Sequence, residues 1–165
     1  MKIDINYLKE HPLNHEIYGN DDEEQFQELV NRIRESGWIE PVIINKEGTI
    51  LAGHRRYKAA KLLGHSSINY EFVNVPPEEE LEILLNSNVY REKTTVQKLK
   101  EAEFYYQIES RKARERQLSG TTLSQMVDQG RTDEIVGDKV GLSRTSLRDG
   151  NEALKESEKI ADEGR

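Results

Sequence analysis

The apolar positions in the first half of the chain switch repeatedly between helical and strand-like spacing. An apolar stripe follows the acidic segment 20–24 and stops at Gly37. This pattern predicts a helix whose acidic first turn complements the helix dipole and which ends at a glycine in the left-handed conformation. Two apolar runs at 42–44 and 49–52, joined by a turn containing Gly48, predict a β-hairpin. The helical stripe consists of Phe26, Leu29, Val30 and Ile33. A later segment with alternating apolar residues, Ile68, Tyr70 and Phe72, predicts a further strand. The pattern predicts an α+β unit with helices packed against a small sheet.

Weaker patterns flank these elements. The alternation of Ile3, Ile5 and Tyr7 predicts a first strand, and the polar segment 11–15 is typical of a loop. After a pair of prolines, residues 78–85 predict a helix that packs through its leucines.

The second half of the chain has no strand pattern and predicts helices alone. Thr94 or its neighbour can cap a long helix that runs to about Gln117, and a short helix is expected at 123–128. The predicted buried face of the long helix is formed by Val96, Leu99, Ala102 and Tyr106. We therefore expect an α+β domain at 1–93 and a helical domain at 94–165.

Residues 132–154 have the spacing of a helix-turn-helix. In this prediction Thr132 caps the first helix, Gly141 supplies the left-handed residue of the turn, and Ser143 caps the second helix. The second helix would expose polar and basic side chains near its start, where a recognition helix contacts bases and phosphates. These candidate DNA-binding residues are Ser143, Arg144, Thr145, Ser146 and Arg148. An ordinary helical hairpin is the alternative.

Charge and composition narrow the possible function classes. The net charge of −7 argues against tight non-specific binding to nucleic acid, so any DNA contact must come from a local face such as the basic patch at 111–116. The chain has no cysteine, which excludes a disulfide framework and a thiolate metal site. It also lacks an apolar run of transmembrane length and a signal-peptide start, so we expect a cytoplasmic protein without a membrane partner.

The segment 53–64 carries the most specific candidate chemistry. It follows the predicted strand at 49–52 and begins a helix with Gly53, Arg55 and Arg56. Helix-start amides lack internal partners, glycine lets a ligand approach the backbone, and guanidinium groups bind phosphate oxygens. The pattern predicts a polyphosphate site, and the alternative is a solvated basic helix start.

Three motifs in this order resemble those of the ParB family of DNA-segregation proteins, in the ParB/sulfiredoxin-like superfamily. The family pattern comprises Gln-Pro before an apolar strand, then GERRxxA, then ENxQR. The resemblance covers roughly residues 20–154. The corresponding segments here are Glu40-Pro41, Gly53-His54-Arg55-Arg56 with Ala59, and Ser87-Asn88-Val89-Tyr90-Arg91.

The resemblance implies a ParB/sulfiredoxin-like N-terminal domain followed by a helix-turn-helix domain. It implies a DNA-binding protein in plasmid or chromosome partition or related gene regulation, with a nucleoside triphosphate as a switch. CTP is favoured over ATP, with Mg²⁺ as a further candidate ligand. The expected partners are double-stranded DNA, a second copy of the chain and a partition ATPase.

Site residues follow from the same resemblance. The implied nucleotide-binding residues are Gly53, His54, Arg55, Arg56, Ala59, Asn88 and Arg91, and Asn88 is also the implied metal ligand. The chain departs from the family pattern at His54, Ser87 and Tyr90, where the family has glutamate, glutamate and glutamine. Because both motif carboxylates are missing, we expect nucleotide binding with little or no hydrolysis, at most a weak CTPase activity.

Two alternatives stay open. One is an enzyme of the superfamily, a small-molecule kinase or a nuclease, in which Glu40 or Glu92 supplies the carboxylate that such chemistry needs. Sulfiredoxin chemistry is excluded because it requires a cysteine. The other is a DNA adaptor whose first domain binds only a partner protein.

Overall fold

The computed structural model describes residues 1–118 and 125–163. The chain divides into two compact units, 1–90 and 91–165. Within the two described ranges, no helix combines the length and the apolarity needed to cross a bilayer.

The first unit contains a five-stranded mixed sheet in the order β1-β5-β3-β4-β2. Strands β1 and β5, and strands β3 and β4, pair antiparallel, whereas β5 with β3 and β2 with β4 pair parallel. The elements are β1 (Lys2–Asp4), β2 (Lys9–Glu10), α1 (Pro12–Tyr18), α2 (Glu23–Ser36), β3 (Val42–Ile44), β4 (Thr49–Ala52), α3 (His54–Leu62), β5 (Ser67–Phe72) and α4 (Pro77–Asn86). The predicted α+β class and the predicted β3–β4 hairpin are confirmed.

Local sequence signals set the limits of helix α2. The side chain of Asp22 accepts a hydrogen bond from the Gln25 N–H at 2.9 Å, and Gly37 ends the helix in the left-handed region at φ 66°. The apolar face of α2 packs with the sheet and α3 in one core. That core includes Ile5, Leu8, Val30, Ile33, Val42, Ile44, Ile50, Tyr57, Ala60 and Ile68.

The first twenty residues differ from their prediction. The alternating segment forms β1 and then a 3₁₀ turn at Ile5–Tyr7, so the strand is shorter than expected. The segment 11–15, expected to be a loop, instead begins helix α1. Pro12 is the first helical residue, and Nδ1 of His11 accepts a hydrogen bond from the Leu13 N–H at 3.3 Å. A histidine cap and a helix of two turns leave little periodicity in the sequence to detect.

The second unit contains α5 (Thr95–Leu118), α6 (Gln125–Val140) and α7 (Arg144–Glu163). Thr94 and Gln97 form a capping box, in which each side chain accepts a hydrogen bond from the other's backbone N–H at 3.2 and 3.0 Å. The buried apolar face of α5 is formed by Leu99, Ala102, Tyr105 and Ile108. The prediction was therefore wrong for Val96, which is 49% exposed.

An ion pair is buried where the second unit begins. Nζ of Lys93 lies 2.8 Å from Oε2 of Glu101, with side-chain exposures of 6% and 0%. Charges so far removed from water are stable only when they are paired, and this contact pairs the two.

Helix α6 starts earlier than the sequence suggested. It runs unbroken from Gln125, so Thr132 is a buried residue within the helix and not its cap. The separate short helix expected at 123–128 is part of α6 where described, and its first two residues lie outside the described ranges.

The turn between α6 and α7 has the predicted chemistry. Gly141 is left-handed at φ 67°, and Oγ of Ser143 accepts a hydrogen bond from the Ser146 N–H at 3.1 Å. The Leu142 N–H donates to the carbonyl of Gly137 at 3.0 Å, and a Cβ added to Gly137 would lie 2.7 Å from the Leu142 carbonyl oxygen. Gly137 is therefore a second glycine that the turn requires. Whether this pair of helices is a DNA-binding helix-turn-helix stays a prediction.

Candidate functional site

The junction between β4 and α3 contains a glycine that no other residue can replace without strain. Gly53 has φ 95°, and an added Cβ would lie 2.9 Å from Cγ1 of Val42. As the cap residue of α3, it supplies no side-chain hydrogen bond to the helix start. The first N–H groups of α3 are thus left without a side-chain acceptor, as an anion site requires.

Arg56 folds back from the first turn of α3 onto this glycine. Its Nη1 donates hydrogen bonds to the Pro41 carbonyl at 2.7 Å and to Oε2 of Glu40 at 3.1 Å. A Cβ on Gly53 would lie 3.1 Å from Nε and Nη2 of Arg56. Burial lowers the pKa of Arg56, and the carboxylates of Glu40 and Glu71 oppose that shift, so the guanidinium stays charged beside the helix start.

Arg55 and Lys58 are held by one carboxylate. Oδ1 of Asp21 lies 3.5 Å from Nε of Arg55, and Oδ2 lies 3.2 Å from Nζ of Lys58. Glu10 adds a second contact to Lys58 at 3.5 Å. The Nε atom of Arg55 is buried and finds no hydrogen-bond partner among the residues that the structure describes, because 3.5 Å from Asp21 gives ion-pair attraction without a well-formed bond.

His54 and Ala59 have structural roles. The His54 ring is buried, and its Nε2 accepts a hydrogen bond from the His11 N–H at 3.2 Å. Burial lowers the pKa of His54 to about 3, with His11 and Lys58 adding to the shift, so the ring is neutral at pH 7. Ala59 is completely buried. Both side chains are enclosed in the fold, and the nucleotide contact expected of each stays a prediction.

The third motif lies at the end of α4. The Asn88 side-chain amide donates to the Leu84 carbonyl at 2.9 Å, and Oγ of Ser87 donates to the same carbonyl at 2.8 Å. Both groups therefore cap the end of α4. Arg91 belongs to the second unit.

A cavity of about 260 Å³ opens beside Arg56. Its walls are mainly apolar, with two cations and one carboxylate at the edge, a composition common in ligand sites. It is lined by Leu29, Arg32, Ile33, Ser36, Trp38, Ile39, Glu40 and Arg56. The sequence analysis missed Arg32 and Trp38. The available signal was an aromatic residue directly after the glycine that ends α2.

The start of α7 presents a different kind of surface. The side chains of Arg144, Thr145, Ser146 and Arg148 are exposed. Arg144 lies 3.3 Å from Glu134, and Arg148 lies 3.2 Å from its neighbour Asp149. These pairs are weak because water screens them.

A shallow groove lies beside these side chains within the second unit. It is lined by Tyr106, Asp133, Arg144, Thr145, Arg148, Asn151, Glu152 and Lys155. The Tyr106 hydroxyl donates to Oδ1 of Asp133 at 3.0 Å. Burial and this bond raise the pKa of Tyr106 to about 12, so the phenol stays protonated and fixes the wall of the groove.

The family model of the ParB N-terminal domain matches residues 1–89. The chain belongs to this family. The chromosome-partitioning protein Spo0J of Thermus thermophilus is 27% identical over 128 residues, covering 76% of this chain and 40% of that protein. Three chromosome-partitioning relatives are matched over only 25% to 40% of their length.

Two solved structures share the ParB fold. The pNOB8-like ParB N-domain matches with a TM-score of 0.60 at 18% identity, covering 90% of this chain and 65% of that one. The C-terminally truncated ParB of Caulobacter crescentus, solved with the centromeric parS site, matches with a TM-score of 0.52 at 22% identity, covering 90% and 68%. At these identities the likeness shows the fold alone.

As a ParB-family domain, this chain has an altered charge arrangement. Against the motif pattern that the sequence resembles, position 54 carries a neutral histidine where a carboxylate is expected, and position 40 carries a carboxylate where glutamine is expected. Among the residues of 1–118 and 125–163, no group of three or more histidine or acidic side chains is arranged to hold a metal.

Proposed function

We propose that this chain is a DNA-partition protein of the ParB type whose first unit binds a nucleoside triphosphate, CTP, as a switch. The family match of residues 1–89 and the partitioning relatives support this function. The observation that carries the nucleotide site is the glycine-capped start of α3, with the guanidinium of Arg56 folded against Gly53.

In this proposal the phosphates bind at the start of α3. The backbone of Gly53 and the first N–H groups of the helix would receive phosphate oxygens, and Arg55 and Arg56 would neutralise their charge. The cavity between α2 and Arg56 would hold the remainder of the nucleotide, against the indole of Trp38. His54 and Ala59 would act behind the site, by fixing α3 against its neighbours.

Magnesium would enter with the nucleotide. Mg²⁺ is commonly held by phosphate oxygens, water and one or two side-chain oxygens, and Asn88 offers one such oxygen. Asn88 would complete the site when nucleotide is bound, and the nucleotide-binding role that the resemblance implies for Arg91 stays a prediction. Because His54, Ser87 and Tyr90 supply no carboxylate, we propose binding with little turnover.

In the second unit, α7 would read DNA. Arg144, Thr145 and Ser146 lie at its exposed start, and Ser143 fixes the first turn by its hydrogen bond to Ser146. Few basic side chains are available, so few phosphates would be neutralised and the dependence of DNA affinity on salt would be shallow. A homodimer that also contacts a partition ATPase would complete the assembly.

Calorimetry with CTP, ATP, GTP and UTP, each with and without DNA, tests the nucleotide part. We expect CTP to bind most tightly, with DNA affecting its affinity. Failure of all four to bind would reject the switch and leave the adaptor function.

Selection from random duplex DNA tests the DNA part. We expect one sequence class to be enriched, with light scattering reporting two chains per site. If no sequence is enriched with or without nucleotide, α6 and α7 are only a packing unit.

A further inference from the structure

Glu40 occupies an unusual position in the proposed nucleotide site. We propose that its carboxylate competes with the ligand phosphates for Arg56 and so lowers the affinity of this chain for polyphosphates. This inference rests on the proposed function of the α3 site and assigns Glu40 the role of setting its affinity.

The contacts of Arg56 separate a permanent bond from a removable one. Nη1 donates to the Pro41 carbonyl at 2.7 Å, and this backbone acceptor stays in place whatever the ligand does. The same atom donates to Oε2 of Glu40 at 3.1 Å, and the Glu40 side chain is 62% exposed. A carboxylate with that much contact with water can leave the guanidinium at little cost in free energy. The arginine would keep its orientation after Glu40 had moved.

Asp21 provides the contrast within the same unit. Its side chain is 12% exposed and contacts both Arg55 and Lys58, at 3.5 and 3.2 Å. Removing this largely buried carboxylate would take an ion-pair contact from both cations at once and leave Lys58 with its weaker contact to Glu10. Asp21 therefore holds the basic side chains of the site in place, whereas Glu40 is the acid that a ligand can displace.

The charge of Glu40 acts in the same direction as its hydrogen bond. The carboxylate lines the cavity beside Arg56, so it would repel a polyphosphate that enters there. Glu71 also acts electrostatically on Arg56, so the guanidinium keeps one acidic neighbour even after Glu40 moves aside. Replacing Glu40 by glutamine removes the negative charge and keeps the shape of the side chain.

The test measures binding of CTP and of inorganic triphosphate to the full chain by calorimetry at constant MgCl₂. The variants are Glu40→Gln, Arg56→Ala and the control Glu47→Gln. Glu47 is exposed in the β3–β4 turn, past the opposite end of β3 from Pro41, and is paired with Lys46 at 3.7 Å. It therefore provides the same charge change away from the site.

We expect Glu40→Gln to bind both probes about three- to tenfold more tightly, the size of a partly screened charge contact. We expect Glu47→Gln to bind like the wild type. Tighter binding by Glu40→Gln alone supports the proposal. It is also supported if the wild type shows no binding and Glu40→Gln does.

The competing role is overturned if Glu40→Gln binds with unchanged or lower affinity while Arg56→Ala weakens binding. In that case the nucleotide site itself survives. If Arg56→Ala has no effect, or if neither probe binds to wild type or Glu40→Gln, the proposed function fails and the role of Glu40 fails with it. A Glu40→Ala variant repeats the comparison without the glutamine amide, and it must also bind more tightly if charge is the cause.

Discussion

The arginines of the two units differ in how firmly they are already held. In the first unit the side chains of Arg55 and Arg56 are 27% and 25% exposed and lie against a helix start. In the second unit those of Arg144 and Arg148 are 57% and 73% exposed and pair with the surface residues Glu134 and Asp149. A side chain that folding has already ordered loses less entropy on binding. The first arrangement suits one small ligand of fixed shape, and the second suits a long, variable DNA surface.

The helix starts differ in the same way. Helix α3 begins at Gly53 with no side-chain cap, whereas Oγ of Ser143 caps α7. An uncapped start leaves its N–H groups for a ligand, while a capped start stabilises the helix by itself, by roughly 1 kcal/mol. Ligand binding should therefore stabilise the first unit more than DNA contacts stabilise α7.

The largest expected effect comes from Lys93→Met. This change leaves the Glu101 carboxylate buried without its lysine partner, which we expect to cost about 3–5 kcal/mol of unfolding free energy. Urea denaturation followed by far-UV circular dichroism measures the loss. Trp38 is the only tryptophan and lies in the first unit, so its fluorescence follows that unit separately.

Two controls accompany Lys93→Met. The double variant Lys93→Met with Glu101→Met should recover most of the stability, because no buried charge is left alone. A loss below about 1 kcal/mol for the single variant would show that the pair is solvated in solution. A matching shift of the Trp38 transition would show that the units unfold together.

Arg56→Ala tests the firmly held arginine. One charge-assisted contact contributes about 1.5–3 kcal/mol, so triphosphate affinity should fall about tenfold or more. Calorimetry with CTP measures this, and Arg34→Ala is a matched control because Arg34 is exposed at the end of α2. Equal affinity in folded Arg56→Ala protein would remove the site from α3.

The pH dependence of stability should belong to the first unit. The pKa of His54 is about 3 in the folded chain against 6.5 in the unfolded one, so below pH 6.5 the unfolded chain takes up the proton first. Well above pH 6.5 the His54 ring is neutral in both states and does not change the free energy of unfolding. As the pH falls below 6.5 the free energy of unfolding decreases, by about 2 kcal/mol at pH 5. The lowered pKa of His11 acts in the same direction.

Urea denaturation followed by Trp38 fluorescence at pH 7.5 and pH 5 measures this loss. His54→Gln stays neutral throughout and should show a much smaller decline. A decline of equal size in His54→Gln would assign the effect to the carboxylates instead.

Arg144→Ala tests the exposed arginine. It should weaken binding to the selected DNA by about 1–3 kcal/mol, the range of a base contact, and leave CTP affinity unchanged. Lys159→Ala removes the same charge from the far part of α7 and should have little effect on sequence choice. If both variants weaken all sequences equally, the helix contacts only phosphates.

Much of the first unit was predictable because its elements are marked by local signals. Asp22 and Gly37 limit α2, and Gly53 separates a strand from a basic helix start. The family resemblance, carried by three motifs in order, is confirmed by the match to residues 1–89.

What sequence reasoning missed depends on contacts between distant residues. The ring of His54 accepts a hydrogen bond from the backbone N–H of His11, 43 positions away, and the guanidinium of Arg56 forms an ion pair with Glu40. Neither pairing leaves a trace in spacing or periodicity. The start of α6 was misplaced because Thr132 is a good cap residue by type, yet it is buried inside a longer helix.

Both edge strands of the sheet in the first unit come from the same short segment of the chain. Strands β1 and β2, both within residues 1–10, form its two edges, with Lys2 opposite Asn69 and Lys9 opposite Thr49. Residues 1–10 are synthesised before the strands they pair with, so during translation β2 must wait for β4 and β1 must wait for β5 to leave the ribosome. Until then the edges of β4 and β5 are open to other chains, a common starting point for aggregation. The yield of folded protein should therefore depend on how quickly these ten residues find their places.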